Sequence, residues 1–195
     1  MKHDFFAYIS RMKYIIRWSL MRSTVQENVQ EHSHMVAVLA HALGVIRRDV
    51  LGQDCDPEHL AAVALYHDAT EILTGDLPTP IKYHSNHIRS AYDEVETLAA
   101  EKLLEELPDQ MRPAYRALLE AHGDPETYAL VRAADKLSAY IKCVEERKAG
   151  NLEFLSAETS TRAKLEALAL PEVDYFLKNL MPGFEKNLDE LGTLE

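Results

Sequence analysis

The chain has 195 residues and a formal net charge of −11, which disfavours general electrostatic binding to nucleic acid or anionic membranes. A small phosphate ester is not excluded, because salt screens charges beyond about 10 Å and a local cation can dominate a pocket. The 2 cysteines are far apart and form no C-x-x-C pattern, so we expect no disulfide framework and a reducing, cytoplasmic location.

The composition indicates one domain. The 8 prolines and 7 glycines are scattered, and no low-complexity tract or fixed-period repeat is present. We therefore expect a single domain over residues 1–195 with its own core. The N-terminus has charges where a signal peptide needs an apolar core, and the longest apolar run, Leu60–Tyr66, is too short to span a bilayer.

The first 50 residues predict two helices and a connection. Phe5–Tyr14 has apolar residues at helical spacing, and Ile15–Arg22 follows as a connection that carries large side chains. Apolar residues then recur at intervals of three and four, which predicts a strongly amphipathic helix over Glu27–Arg48. His32 precedes the most apolar part of this helix.

The stretch Leu60–Asp76 predicts a further helix, which starts at Asp56 as N-cap with Pro57 in the first turn and stops at Gly75. His67 and Asp68 would then lie near the end of a mostly apolar helix, about 100° apart around its axis. Glu71 would project on the same side of this helix. The following residues 76–80 contain two prolines and predict a rigid turn that is not helical throughout.

The second half of the chain is also predicted to be helical. The predicted helices are Ser90–Leu107, Met111–Glu120, Glu126–Ala149, Leu152–Leu168, Glu172–Leu180 and Phe184–Leu191. No segment shows sustained period-two alternation with β-branched residues. We therefore expect an all-α domain of seven to nine helices with no sheet.

Four polar residues stand out because each lies in or beside an apolar helix: His32, His67, Asp68 and Asp135. Two imidazoles and two carboxylates suit a divalent metal such as Mn, Co, Fe, Ni or Zn. Because no thiolate is among them, an open catalytic site is favoured over a closed structural zinc site. The residues alone leave a plainer interpretation open, in which the His-Asp pair is at the surface and Asp135 binds a neighbouring helix end.

Longer motifs around these residues resemble the bacterial 5′-deoxynucleotidases of the HD-domain phosphohydrolase superfamily. The order of a His, a His-Asp pair and a later Asp across helices is typical of the superfamily. The motifs that carry the closer resemblance are Arg17-Trp18, Glu27 to Ser33, Tyr66 to Pro80 and Ala134 to Tyr140. The resemblance extends along nearly the whole chain, including Glu145 to Phe154 and Asp174 to Phe176.

The resemblance implies a helical HD-domain enzyme that hydrolyses deoxyribonucleoside 5′-monophosphates to deoxynucleosides and phosphate. It implies one divalent metal ion, such as Co or Mn, with His32, His67, Asp68 and Asp135 as ligands, of which His32 and Asp135 also face the substrate. It implies that Arg17 orients the phosphate and that Glu71 is a catalytic residue of the hydrolysis. It also implies a homodimer.

For the sugar, the resemblance implies that Trp18 packs near its 2′ carbon and that Asp76, Leu77, Pro78 and Thr79 hold it. Residue chemistry is consistent with these roles. The planar fork of Arg17 matches two phosphate oxygens, and a bulky ring at C2′ would exclude a ribose hydroxyl sterically. Glu71 could accept a proton from water or pass one to the departing 5′ oxygen, and its spacing does not distinguish these tasks.

Two other functions remain open from the sequence. The same site could act on a nucleoside triphosphate, a cyclic nucleotide or an alarmone, although Arg17-Trp18 and the 76–79 loop favour a compact monophosphate pocket. Alternatively, the chain could be a non-catalytic helical binding module, which the presence of all four candidate ligands disfavours.

Overall fold

The computed structural model describes residues 3–82, 84–120 and 124–192, and its main elements are helices. They are α1 (Phe5–Ile9), α2 (Val29–Val45), α3 (Pro57–Tyr66), α4 (Glu71–Thr74), α5 (Thr79–Lys82), α6 (Asn86–Glu105), α7 (Arg112–Leu119), α8 (Pro125–Lys148), α9 (Leu155–Glu166) and α10 (Pro171–Asn179). Segments of 3₁₀-helix cover Ser10–Tyr14, Leu152–Phe154 and Met181–Glu185, and a π-helical turn, Ile46–Val50, extends α2.

The predicted all-α class is confirmed. Eight of the described helices have five residues or more, within the predicted range of seven to nine. In the described ranges the β-structure consists of one isolated antiparallel bridge between Ile16 and Asn28. No helix in those ranges is long and apolar enough to cross a membrane.

The predicted helix Phe184–Leu191 is wrong. The chain instead forms the 3₁₀ segment Met181–Glu185, becomes extended at Lys186 and then turns. The Asn187 carboxamide oxygen accepts from the Glu190 amide at 3.0 Å, and the Glu190 carboxylate accepts from the Asn187 amide at 2.8 Å. Such local side-chain bonds give the backbone an alternative to the helical ladder.

The predicted continuous helix over Leu60–Asp76 is interrupted after Tyr66. The His67 ring Nδ1 lies 2.7 Å from the Ala64 carbonyl oxygen, the acceptor that the Asp68 amide would use in a continuing α-helix. The chain therefore passes through four turn residues before α4 begins. His67 and Asp68 lie just past the end of α3 rather than on its last turn.

The largest part of the core lies between α2, α3 and α8. Leu43, Leu60 and Leu137 are among its fully buried side chains. Gly44 allows α2 to approach α3 closely, because a Cβ at this position would lie 2.8 Å from Leu60 Cδ1 and 2.9 Å from Pro57 Cα. A smaller apolar cluster around Phe5 packs beside the turn after α3.

Capping side chains define where the helices that carry the candidate site begin. The Asn28 side chain accepts from the Glu31 amide at 3.0 Å, and the Glu31 carboxylate accepts from the Asn28 amide at 3.3 Å, which makes a capping box for α2. The Asp56 carboxylate caps α3, and the Asp124 carboxylate caps α8. These caps fix the starts of the three helices that meet at the site.

A buried charge network ties residues 22–25 to α8. The Glu146 carboxylate accepts from the Thr24 amide and hydroxyl, each at 2.8 Å, and from the Asn151 side-chain amide at 2.9 Å. The Lys142 ammonium pairs with Glu146 and donates to the Val25 carbonyl at 2.6 Å. Burial raises the pKa of Glu146, but the hydrogen bonds from Lys142, Thr24 and Asn151 outweigh it and lower the pKa to about 2.

We expect Glu146→Gln to lower the free energy of unfolding by about 3 kcal/mol at pH 7, because the Lys142 charge would stay buried without its partner. Urea unfolding measures this change. Glu145→Gln is the matched control, because Glu145 is exposed on the same helix and its change should stay within about 0.5 kcal/mol. Equal losses in the two variants would contradict the assigned role of the network.

The same interaction predicts that the free energy of unfolding depends on pH, because folding lowers the Glu146 pKa. Since folding lowers the Glu146 pKa from about 4.5 to about 2, the stabilisation is present above pH 4.5 and is lost as the pH falls towards 2. The difference in unfolding free energy between wild type and Glu146→Gln should therefore shrink over this range. A difference that stays constant down to pH 2 would argue against the ionised carboxylate.

Candidate active site

The four predicted metal ligands come together in the structure. His32 lies in the first turns of α2, His67 and Asp68 follow α3, and Asp135 lies in the middle of α8. His32 Nε2 is 3.2 Å from Asp135 Oδ1 and 3.5 Å from Asp68 Oδ2. His67 Nε2 is 3.1 Å from Asp68 Oδ2. Three distant parts of the sequence therefore form one polar cluster.

The two imidazoles present the same nitrogen to the cluster. Because a carbonyl oxygen only accepts, the bond to Ala64 places a proton on His67 Nδ1 and leaves the Nε2 lone pair facing Asp68. His32 Nδ1 lies 3.2 Å from the Ser138 hydroxyl, so His32 Nε2 also faces inward. Both Nε2 atoms are buried and have no hydrogen-bond partner among the described residues.

This cluster fits a metal ion. Ligand atoms at about 2.1 Å from one ion lie roughly 3–4 Å from each other, and the ligand atoms of His32, His67 and Asp135 all lie within 4.8 Å of one another. Asp68 contributes an oxygen 3.1 and 3.5 Å from the two imidazole nitrogens. Buried lone pairs without donors are costly in a protein interior, and a cation would satisfy them.

Both aspartates are ionised in this environment. Burial raises the Asp68 pKa, but His67, Arg17 and His32 outweigh it and hold the pKa well below its usual range. Burial likewise raises the Asp135 pKa, and the His32 imidazole 3.2 Å away outweighs it and holds the pKa below its usual range. The carboxylates are therefore available as anionic oxygen ligands.

Arg17 and Trp18 lie beside the cluster and share one acceptor that the sequence did not single out. Arg17 Nη1 donates to Asp68 Oδ2 at 3.1 Å, and Arg17 Nε donates to Glu27 Oε2 at 3.3 Å. The indole Nε1 of Trp18 donates to the same Glu27 Oε2 at 3.0 Å. Burial lowers the Arg17 pKa, but the surrounding carboxylates outweigh it and keep the guanidinium charged.

The Trp18 backbone is strained. Its φ of 58° lies in the left-handed region, which costs a non-glycine residue about 1–2 kcal/mol. The ring contacts Phe154, with centroids 5.3 Å apart. Such strain persists only where surrounding contacts over-determine the conformation, and it is concentrated at functional sites.

Glu71 is the first residue of α4 and is buried, with 7% of its surface exposed. Its Oε2 has no hydrogen-bond partner within the described part of the chain. Burial and the Asp68 charge raise the Glu71 pKa to about 10, against the opposing effect of Arg17. The Glu71 amide donates to the Asp68 carbonyl oxygen at 3.1 Å, so Glu71 directly follows the turn that carries the His-Asp pair.

The loop after α4 begins at Gly75, whose φ of 74° ends the helix. Asp76, Leu77 and Pro78 follow and are each partly buried. Burial raises the Asp76 pKa and Arg17 lowers it, which places this carboxyl within the field of the site. Thr79 begins α5, and its side chain lies outside what the structure describes.

A cavity of about 450 Å³ opens beside the cluster. Its walls include His67, Asp68 and Asp135 on one side and Lys82 and Arg132 on the other. This volume is within the range of pockets that hold small molecules. A ligand of nucleotide size could therefore reach the candidate metal ligands.

Two residues in the neighbourhood of the ligands were missed as site residues. Ser138 follows Asp135 by three positions on α8, so helical periodicity places both on one face, and this signal could have identified it. Glu27 precedes the Asn28 cap by one residue and lies in a motif of the resemblance, but its contacts with Arg17 and Trp18 are long-range and leave no local pattern.

Similarity to known proteins covers nearly the whole chain. The family model described as 5′-deoxynucleotidase YfbR-like matches residues 4–184. The 5′-deoxynucleotidase YfbR of Shigella boydii is 46% identical over 189 residues, which cover 96% of this chain and 95% of the relative. The protein of the same name from Escherichia coli K12 matches with the same identity and coverage.

Solved structures share the fold. An HD-domain phosphohydrolase from Listeria innocua superposes with a TM-score of 0.81 at 26% identity, covering 98% of this chain and 92% of the other. The cyanophage S-2L HD phosphohydrolase DatZ, solved with dA and one catalytic Zn²⁺ ion, superposes with a TM-score of 0.67. At 19% identity over 93% of this chain and 96% of the other, this second likeness shows the shared fold alone.

We expect Asp68→Ala to lose bound metal, because the substitution removes an oxygen within 3.5 Å of both imidazole nitrogens. Metal affinity should fall by at least the 10–100-fold typical of losing a supporting group around a metal site. Metal analysis after dialysis measures the loss, with the exposed Asp54→Ala as control. Stoichiometric metal in Asp68→Ala would contradict its assignment as a ligand.

Proposed function

The chain belongs to the 5′-deoxynucleotidase YfbR-like family, and we propose that it hydrolyses deoxyribonucleoside 5′-monophosphates to deoxynucleosides and phosphate. The observation that carries this proposal is the partly buried cluster of two imidazoles and two carboxylates, with Arg17 bonded to one of its aspartates. This arrangement combines a metal-binding group with a cation suited to phosphate. The enzyme is a metal-dependent phosphohydrolase.

We propose that one divalent transition metal, such as Co or Mn, is held by His32, His67, Asp68 and Asp135. When bound, such an ion supplies Lewis acidity towards a phosphoryl oxygen and makes water a better nucleophile near neutral pH. The donor set of nitrogen and oxygen atoms suits several transition metals, and ligand type does not rank them.

Arg17 would bind the phosphate. Its guanidinium is partly buried and charged, and its contact with Asp68 directs it towards the metal ligands. A planar guanidinium can donate two parallel hydrogen bonds to phosphate oxygens, which the single ammonium of a lysine would not reproduce. Arg17 would thus hold the phosphate in a fixed orientation at the cluster.

Trp18 would face the sugar. Its ring is held against Phe154 and by the bond to Glu27, so a ribose 2′ hydroxyl would meet a rigid surface. Asp76, Leu77, Pro78 and Thr79 would hold the sugar from the loop that follows α4. Deoxyribose selectivity would then be steric rather than the result of a missing hydrogen bond.

Glu71 would transfer a proton at the reacting atoms. It is buried next to Asp68 and has a carboxylate oxygen without a partner in the described ranges. A carboxyl group in this position can exchange a proton with the attacking water or with the departing 5′ oxygen. His32 and Asp135 would also face the substrate.

The cytoplasmic location and the homodimer remain predictions. Both cysteines, Cys55 and Cys143, are free, which agrees with a reducing compartment. Size-exclusion chromatography with light scattering would give the oligomeric state directly. One domain over residues 1–195 and no binding to nucleic acid also remain predictions.

The proposal is tested by phosphate release from a panel of nucleotides with Co²⁺, Mn²⁺, Mg²⁺ and Zn²⁺. We expect deoxyribonucleoside 5′-monophosphates to be hydrolysed at least about tenfold more efficiently than the matching ribonucleotides, as expected when a steric wall excludes one hydroxyl. Preference for triphosphates, cyclic nucleotides or alarmones would overturn the proposed substrate. No phosphate release with any ion would favour a binding module.

For Glu71→Gln, we expect kcat to fall by at least about 100-fold while metal content and KM change little, because the amide keeps the shape but transfers no proton. Steady-state kinetics with metal analysis measures both. Glu58→Gln is a suitable control, because Glu58 is exposed in the first turn of α3 and is not among the residues that line the cavity. Near-normal turnover in Glu71→Gln would show that the proposed role is wrong.

A further inference from the structure

One carboxylate oxygen connects the residue proposed to bind phosphate with the residue proposed to face the sugar. Glu27 Oε2 accepts from Arg17 Nε at 3.3 Å and from Trp18 Nε1 at 3.0 Å. The Glu27 side chain is 15% exposed, so water competes little for these bonds. A single group thus bonds two neighbouring side chains, of which Arg17 also contacts the candidate ligand Asp68.

Glu27 is itself held in place by backbone bonds on both sides. Its carbonyl accepts from the Arg17 amide at 3.0 Å, and the Val29 amide donates to the Ile15 carbonyl at 2.9 Å. The next residue, Asn28, is the N-cap of α2. The carboxylate therefore projects from a rigid junction between the 15–17 segment and the start of α2.

The Trp18 side chain needs such an anchor. Its backbone has a positive φ, which a tryptophan does not adopt without compensating contacts. Contacts of the ring within the described residues include the Phe154 side chain and the Glu27 carboxylate, which accepts from the indole nitrogen. The Phe154 contact limits the tilt of the ring, whereas the hydrogen bond fixes its rotation.

We propose that Glu27 is a positioning residue that holds the Trp18 ring and the Arg17 guanidinium through one oxygen, and that it thereby sets deoxyribose selectivity. The selectivity part rests on the proposed function, whereas the positioning part does not. Without Glu27, the indole would gain freedom to rotate away and admit a 2′ hydroxyl. Arg17 would keep Asp68 but lose the contact that fixes the other side of its plane.

The activity test compares Glu27→Ala and Glu27→Gln with Trp18→Ala. We expect the ratio of kcat/KM for dAMP over AMP to fall about tenfold in Glu27→Ala, towards the Trp18→Ala value, as for the loss of one charge-assisted hydrogen bond. KM for dAMP should also rise. Glu27→Gln should keep most of the selectivity, because one amide oxygen can accept from both donors.

The spectroscopic test does not depend on activity, because Trp18 is the single tryptophan of the chain. Fluorescence excited at the long-wavelength edge of the absorption band, where the 9 tyrosines absorb little, therefore reports on this ring alone. In Glu27→Ala, acrylamide should quench the emission more strongly and fluorescence anisotropy should fall, whereas Glu27→Gln should stay near wild type. If wild type shows no deoxynucleotidase activity, this measurement still tests the positioning.

The matched control is Gln30→Ala, which removes an exposed side chain from the first turn of α2 and keeps the capping box formed by Asn28 and Glu31. It should keep wild-type selectivity and fluorescence. Metal content is measured in every variant, because His32 Nδ1 lies 4.0 Å from Glu27 Oε1. Loss of metal in Glu27→Ala would overturn the proposal, because the effect would then pass through His32.

Three further outcomes would also overturn the proposal. They are wild-type selectivity and quenching in a folded Glu27→Ala, equal losses in Gln30→Ala, and a Glu27→Gln variant as unselective as Glu27→Ala. Thermal unfolding shows whether each variant is folded at the assay temperature. A variant that fails to fold is replaced by Glu27→Asp. Its shorter side chain should reach only one of the two donors, so the ratio of kcat/KM for dAMP over AMP should lie between the wild-type and Trp18→Ala values.

Discussion

The hydrogen bond from His67 Nδ1 to the Ala64 carbonyl is the interaction on which the rest of the site depends. It uses the acceptor that the Asp68 amide would use in a continuing α-helix, at the point where α3 ends and the candidate ligands His67 and Asp68 follow. The same bond fixes the tautomer, because Nδ1 must carry the proton. One local contact therefore determines both where His67 lies and which lone pair it offers.

The charges around this turn explain why the site suits a cation and an anionic substrate together. Asp68 and Asp135 are ionised and face two imidazoles whose inner nitrogens have no donor among the described residues. Arg17 adds a permanent positive charge that Asp68 and Glu27 hold in place. With a divalent ion held by these ligands, a phosphate monoester would meet that ion and Arg17, although the net charge of the chain is −11.

Much of the fold follows from the sequence because its signals are local. Asn28, Asp56 and Asp124 are cap residues, and each begins a helix close to its predicted start. The HD-domain resemblance, the all-α class and the convergence of His32, His67, Asp68 and Asp135 agree with the comparisons and the geometry.

The sequence does not reveal features that arise from competition between side chain and backbone. His67 ends α3 by such competition, and Asn187 and Glu190 replace the predicted last helix in the same way. Apolar spacing continues through both segments and therefore favours a helix. The role of Glu27 is equally hidden, because its partners are nine and ten positions away in sequence and meet it only in the fold.

The close crossing of α2 and α3 at Gly44 has a consequence for the distant imidazoles. Gly44 is twelve residues from His32 along α2, a distance of about 18 Å in a helix. A methyl group at position 44 would clash with Leu60 and Pro57 and change the angle between α2 and α3. A small change in this angle would move the far end of α2, where His32 lies, by a larger distance. The distance between His32 and His67 therefore depends in part on Gly44, although Gly44 lies far from both rings along the chain.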